Sequence, residues 1–423
     1  MTTPGQGAAL ARRLTTGDAV FIGVGSMVGA GLFTAFSPAA AAAGSLLLVS
    51  LGIAAVIAFC NATSSAQLAA QYPTSGGTYV YGRERLGPRW GFVAGWGFVI
   101  GKTASCAAMA LAIAVYVAPP AWQRPLAAAV VAAIVAVNYR GITRTAALTR
   151  ILVIIVLALL VTVLIVSAVR LWGATPLDGG EPTPGAGGWA GVLQGAALLF
   201  FAFAGYARVA TLGEEVLDPA RTIPRAIVLS FAVVVPLYAV TAGILLHVLG
   251  PGATASTAAP VHQLAVMVQG PDGWLPWVAS AAATVAALGA LLALVAGVGR
   301  TTLAMARAGD LPRALSAVHP RFHVPHRAEL ALGAVVVVLV LLTDLRGVIG
   351  FSSFGVLTYY GVANASALTQ DRQHRRYPRA LALAGLAGCV VLALAVPTGS
   401  LATGAVVLAI GVIGRFVVVR RRG

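Results

Sequence analysis

Residues 17–38 read GDAVFIGVGSMVGAGLFTAFSP. The stretch is apolar enough to be a membrane span, yet it contains Gly23, Gly25, Gly29 and Gly31. Glycine costs a water-exposed helix about 1 kcal/mol relative to alanine. So many glycines together point to a helix that unwinds locally. They point equally to a bare backbone packed on a neighbour through Gly-xxx-Gly spacing, as between Gly25 and Gly29. The stretch alone does not separate the two. A dinucleotide-binding loop fits poorly, because the spacing is wrong and no strand precedes it.

A second stretch breaks the tie. Residues 200–215 read FFAFAGYARVATLGEE, with Gly205 in the middle of an apolar run. That run is the first after residues 173–188 (GATPLDGGEPTPGAGG), which have no apolar period and read as a loop. It therefore corresponds to the opening span in a second half of the chain. Glycine-interrupted helices at matching places in two halves are the best sequence pointer to a transporter site. Unwinding frees backbone N–H and C=O groups at mid-membrane, where they are costly unless they line a cavity or meet a ligand. Half-helix N-termini attract a carboxylate, and freed carbonyls attract an ammonium or a cation. A zwitterionic amino acid supplies both.

Working outward, about 20 apolar residues make a helical crossing. Twelve runs are candidates: 18–42, 45–70, 91–117, 125–139, 149–171, 189–212, 225–249, 274–304, 329–345, 347–369, 379–397 and 400–419, of which the fourth and ninth are short and extendable by a few residues. With the N-terminus inside and the sides alternating, 24 arginines fall on inner connectors and tails, and only Arg124, Arg170 and Arg346 on outer ones. The positive-inside rule demands such an asymmetry, so it supports both the count and cytoplasmic termini. It also explains the net charge of +16 as topology rather than nucleic-acid binding. With 59% hydrophobic and 9% charged residues, the chain has too little polar surface for a water-soluble fold. Met1–Thr16 has no apolar core, so no cleaved signal peptide is expected. Cys60, Cys106 and Cys389 all lie in apolar runs and spell neither a metal site nor a disulfide framework.

Four motifs carry a resemblance. They are Gly29-Ala30-Gly31-Leu32-Phe33, YPTSGGTYVYGRERLG (72–87), GEEVLDPARTIPRAI (213–227), and RTTLAMARAGDLP (300–312) followed by HPRFHVP (319–325). In this order they resemble the amino acid–polyamine–organocation (APC) superfamily of permeases, most closely bacterial relatives of cationic amino acid transporters. The resemblance covers nearly the whole chain. It implies an all-α polytopic membrane protein with a five-plus-five, LeuT-like inverted repeat and discontinuous helices 1 and 6. The parts would be a cytoplasmic tail (1–17), a first repeat (18–172), an extracellular loop (173–188), a second repeat (189–370), and helices 11–12 with a cytoplasmic tail (371–423).

The resemblance further implies substrate held between spans 1, 3, 6, 8 and 10, in a protein of the plasma membrane. The backbone at Val28, Ala30 and Gly31 should receive the carboxylate. Carbonyls near Ser26, Met27, Phe201, Ala204 and Gly205 should receive the amine. Phe201 and Phe203 are expected either as an aromatic gate or as core packing. No cofactor, metal or nucleic-acid partner is expected. A proton is an expected co-substrate, exchange is the alternative, and the oligomeric state is open.

Two departures from the family pattern matter. Proton-coupled relatives often carry a lysine in span 5, where this chain has Val156. Its only lysine, Lys102, sits eleven residues into span 3, about 16 Å deep at about 1.5 Å per residue. That is too deep for easy snorkelling, and a charge there is expensive and usually functional. Lys102 is thus expected as proton carrier or charge mimic of a sodium ion, the alternative being a static lysine capped by freed carbonyls.

The second departure is Ala207, where relatives often have an acidic residue. All twelve acidic residues fall near span ends or in loops. The pocket therefore lacks a counter-ion for a cationic side chain, and a neutral, or else anionic, amino acid is expected. Arg208 is expected as a positive-inside anchor, or as part of an inner gate with Glu214 or Glu215. Rival readings are a membrane enzyme, a non-transporting amino-acid sensor, a channel, and a carrier of polyamines or other organic amines. An enzyme would need catalytic groups at depth, whereas the six histidines lie in loops or at span ends. A channel would need a charged or carbonyl-lined ring, which no segment suggests.

Overall fold

A computed structural model describes residues 12–73, 76–141, 146–171 and 188–420. Among these, regular structure is helical apart from isolated bridge residues, including the pair Leu14 and Val216. The first apolar run is divided into α1 (Thr16–Met27), α2 (Ala30–Thr34) and α3 (Phe36–Ala43). There follow α4 (Leu47–Gln71), α5 (Gly77–Leu86), α6 (Pro88–Val117), α7 (Pro120–Tyr139) and α8 (Ala146–Leu171). The second half opens with α9 (Gly188–Phe203), a 3₁₀ turn (Ala204–Tyr206) and α10 (Ala207–Ala210). It continues with α11 (Pro219–Val248), α12 (Gly250–Ser256), α13 (Pro260–Gln269), α14 (Trp274–Arg307), α15 (His326–Leu342) and α16 (Leu345–Leu368). The chain closes with α17 (Arg379–Ala395) and α18 (Thr398–Arg420). The segment expected as an outer loop, 173–188, lies outside the described residues except for Gly188.

Nine of these helical stretches are long and apolar enough to cross a bilayer, counting α1–α2 and α9–α10 as one each. α15, α16 and α17, which occupy the other three expected runs, fall outside that set, and α15 and α17 have only 17 residues each. α15 starts and ends three residues earlier than its pattern suggests. The cause is local: Asp344 caps α16, its Oδ1 accepting the Gly347 N–H at 2.9 Å, so Thr343 and Asp344 must be extended. α5, α12 and α13 are helices that apolar periodicity did not reveal.

The exposed side chains fit lipid as solvent. Ile151, Ile154, Ile165 and Val169 of α8 and Ile410 and Ile413 of α18 face outward, a pattern that water would penalise. Trp90, Trp122, Trp189, Trp274 and Trp277 are exposed near helix ends, where indole rings favour the membrane–water boundary. α6 runs through the centre, packed on α5, α7, α14, α15 and α16. Its many small residues allow that close approach.

One polar cluster ties α5, α18 and the segment after α14 together. The Asp310 carboxylate, almost fully enclosed, accepts from Arg415 Nε of α18 at 2.7 Å, from the Tyr79 hydroxyl of α5 at 2.8 Å and from Arg83 at 3.5 Å. Burial, followed by the Asp310 charge, pushes the Tyr79 hydroxyl up to about 12, so it stays protonated and donates. Replacing Asp310 with Asn should cost about 2 kcal/mol, because two guanidinium groups lose their carboxylate. A lower thermal midpoint in detergent would register this.

Candidate functional site

The first broken helix is a true interruption. α1 stops at Met27, Val28 takes φ −77° and ψ 57°, Gly29 is extended, and α2 begins at Ala30. As the first residues of α2, Ala30 and Gly31 present N–H groups that have no intrahelical acceptor. The second interruption is milder. α9 tightens into the 3₁₀ turn at Ala204–Tyr206 and resumes as α10.

The two interruptions are pressed together. A Cβ on Gly205 would lie 2.1 Å from the Ser26 carbonyl oxygen and 2.6 Å from the Met27 nitrogen. One on Gly31 would lie 2.5 Å from the Ala202 Cα. The two readings of the glycines are therefore both correct: span 1 is interrupted, and its bare backbone is packed against span 6. Met109 of α6 and Ala290 of α14 stand beside Gly29.

Polar side chains from neighbouring helices meet the carbonyls around the breaks. The Tyr238 hydroxyl of α11 lies 2.6 Å from the Met27 oxygen and 3.1 Å from the Ala202 oxygen, donating to both halves of the site. The Tyr116 hydroxyl of α6 donates to the Phe33 carbonyl at 2.7 Å. The Ala204 carbonyl receives both Lys102 Nζ at 3.1 Å and the Tyr360 hydroxyl of α16 at 3.3 Å. Lys102 is buried about halfway along α6, so the protein's own amine occupies one of the carbonyls expected to take a substrate amine. Loss of the Tyr238 hydroxyl in Tyr238→Phe should cost about 1 kcal/mol. It should also weaken apparent substrate affinity, since both breaks are released at once; thermal unfolding and KM for uptake measure the two effects.

Spans 1, 3, 6, 8 and 10 thus converge, through the two breaks, Lys102, Ala290 and Tyr360. Met27, Val28, Ala30, Gly31, Phe201 and Ala204 are buried at this junction, and Ser26 and Gly205 are partly so. Phe203 is packed on α11: its ring stacks on Phe231 at 6.1 Å and lies against Tyr238 at 5.0 Å. Arg208 pairs with Glu215 at 3.4 Å and donates to Thr211 Oγ1 at 3.1 Å. The neighbouring backbone is strapped down, for the Arg13 and Leu14 N–H groups donate to the Glu215 carbonyl, both at 3.0 Å, and the Leu217 N–H to the Leu14 carbonyl at 2.9 Å. Thr15 and Asp18 form a capping box on α1, and Asp18 also pairs with Arg150 of α8. Val156 is buried among apolar residues.

Tyr116, Tyr238 and Tyr360 were not singled out from the sequence. A buried tyrosine in an apolar span needs a partner for its hydroxyl, but the partner here is always a carbonyl on a remote helix. The histidines of HPRFHVPH do not gather around an ion. His319 and His326 pack edge-on at 5.4 Å, together with Tyr139 and Phe322. Among the described residues no three His, Cys, Asp or Glu side chains converge on a point that could hold a metal.

Comparison with known proteins bears on the whole of this arrangement. The profile of the family described as amino acid permease matches residues 14–417, which contain both breaks and Lys102. An uncharacterized transporter of Mycobacterium tuberculosis is 58% identical over 405 residues, covering 95% of this chain and 90% of the relative. The branched-chain amino acid permease BcaP of Bacillus subtilis is 26% identical over 400 residues, 89% of this chain and 84% of its own. Cationic amino acid transporter 4 of Homo sapiens is 29% identical over 383 residues, 83% of this chain and 58% of its own. These relatives carry the names of transporters, not enzymes. The chain belongs to the amino acid permease family.

Proposed function

We propose that the protein is a secondary active permease that carries a neutral amino acid across the plasma membrane by alternating access, coupled to protons through Lys102. The observation that carries this reading is the pair of apposed helix breaks with a buried amine on the Ala204 carbonyl. Substrate carboxylate would meet the N–H groups at Ala30 and Gly31, beside Val28. The substrate amine would meet carbonyls near Ser26, Met27, Phe201 and Gly205. Phe201, buried beside the break, is the proposed gate, whereas the packing of Phe203 on α11 favours a structural role for it. The Arg208–Glu215 pair supports an inner gate at the end of α10.

The wider architecture follows the same reading. We place twelve crossings with both termini in the cytoplasm, spans 1–5 and 6–10 as inverted repeats, and two added helices. The repeats would be residues 18–172 and 189–370. Neutral substrates are favoured because the breaks hold no carboxylate and already hold a cation. One relative's name, branched-chain amino acid permease, agrees with that choice, whereas the name of the human relative points to cationic substrates.

Uptake of labelled leucine, arginine, glutamate and putrescine into proteoliposomes, with imposed pH or sodium gradients, tests the proposal. Concentrative leucine uptake under an acid-outside gradient is expected. Binding without flux would mark a sensor instead, and arginine or putrescine preference would overturn the substrate assignment.

A further inference from the structure

On the inner side of the break in span 6, the fold encloses a cavity of about 30 Å³. Its walls include Ser65 of α4, Thr211 beyond α10, Thr301 of α14, and Tyr359 and Tyr360 of α16. Ser65 Oγ is buried and has no hydrogen-bond partner in the protein among the described residues, and the buried Tyr359 hydroxyl meets that of Tyr360. The Tyr206 hydroxyl, outside the lining, also meets that of Tyr360, its ring stacked 4.8 Å away. Buried water requires about 10–15 Å³ of accessible space and roughly two to four polar partners. The cavity meets both conditions, with room for about one or two waters.

The cavity lies between two features already described. On one side, Tyr360 shares the Ala204 carbonyl with Lys102. On the other, the Thr211 hydroxyl is held by Arg208, which pairs with Glu215. We propose that the cavity is a hydrated proton-relay site connecting Lys102 to the inner side of the membrane. The inference rests on the reading of Lys102 as the coupling group.

In the relay, the Lys102 ammonium gives a proton to the Tyr360 oxygen as the Tyr360 hydroxyl passes its own proton to a cavity water. The products are a neutral amine, an unchanged tyrosine and a hydronium that leaves past Thr211. Return of the hydroxyl to the Ala204 carbonyl resets the path. No oxidant, reductant or other co-reactant takes part. The titratable groups around it are Cys106 on α6, Tyr206 on span 6, Tyr359 and Tyr360 on α16, Cys60 on α4, Cys389 on α17, and Tyr79 on α5, which lines the cavity and bonds Asp310 and Arg83. Arg208, paired with Glu215 and facing Arg300, supplies charge beside Thr211.

The test uses the double variant Ser65→Ala/Tyr359→Phe, which removes two wall hydroxyls and touches neither break. Purified wild type, this variant and Lys102→Ala are compared in proteoliposomes in two assays. One is accumulation of a transported amino acid driven by a pH gradient; the other is counterflow of the same amino acid with no gradient. The relay predicts that the double variant loses accumulation by at least about tenfold while its counterflow stays near wild type. Accumulation at the wild-type level in the double variant overturns the relay and leaves the coupling role of Lys102 standing. Equal loss in both assays assigns the hydroxyls a structural role and also overturns it. Undiminished accumulation by Lys102→Ala overturns the coupling role itself, and the relay with it.

Discussion

Gly205→Ala should abolish transport and lower thermal stability, although it adds a single methyl group. The added carbon would lie 2.1 Å from the Ser26 carbonyl oxygen and 2.3 Å from its carbon. Both are backbone atoms, which cannot swing aside as a flexible side chain would. Span 1 and span 6 must separate, and overpacking of this kind costs about 1–3 kcal/mol. Separation also strips Tyr238 from one of its two carbonyls and shifts the Ala204 oxygen away from Lys102. Initial uptake rates and thermal midpoints, measured side by side, test this. Gly243→Ala is the control. That glycine, on α11, has no atom within 4 Å of its would-be Cβ, so alanine there should leave stability unchanged or slightly raised. If Gly205→Ala behaved like Gly243→Ala, the close approach of the two breaks would not be needed for transport.

Lys102→Met should separate stability from coupling. A cation near the centre of a bilayer costs several kcal/mol by insertion scales, even when partners are present. Here the structure gives it one carbonyl, that of Ala204, at 3.1 Å. Methionine has similar length and no charge, so the folded protein should be as stable as wild type or more so. A group retained against that cost is retained for function, and accumulation against a gradient should fall at least about tenfold. Two results would count against the coupling role: a marked fall in thermal midpoint, which would make the lysine a structural cap, or undiminished accumulation under a pH gradient. Binding of substrate should survive, because the amine sites proposed at Ser26 and Met27 make no contact with Lys102, whose bond is to Ala204.

Both predictions turn on residues whose importance was visible in the chain but whose partners were not. Gly29, Gly31 and Gly205 stand out because glycine is unfavourable mid-helix, and Lys102 because it is the only lysine and lies in an apolar run. Spacing along one span says nothing about what faces it on another. Span 1 alone therefore could not choose between an unwound helix and a close-packed one; the matching break in span 6 favoured unwinding, and the tertiary structure adds that the bare backbone is also packed on its neighbours. Nor could it tell that the Ala204 carbonyl takes Lys102, or that Tyr238 bonds both breaks, since those contacts join residues far apart in the chain. The position of α15 moved for the opposite reason. Its end is set by the Asp344 cap, a local signal that hydrophobicity alone overlooks.

By itself the sequence determined that lipid is the solvent, that the chain is helical, and where its two interruptions lie. Each of these follows from composition and local backbone preference, because a bilayer forces every segment to satisfy its own hydrogen bonds. Only the tertiary structure decided which freed carbonyls are already occupied, which tyrosines occupy them, and that Phe203 stacks on Phe231 of α11. Those choices depend on how helices distant in the chain pack against one another, and no single segment contains that geometry.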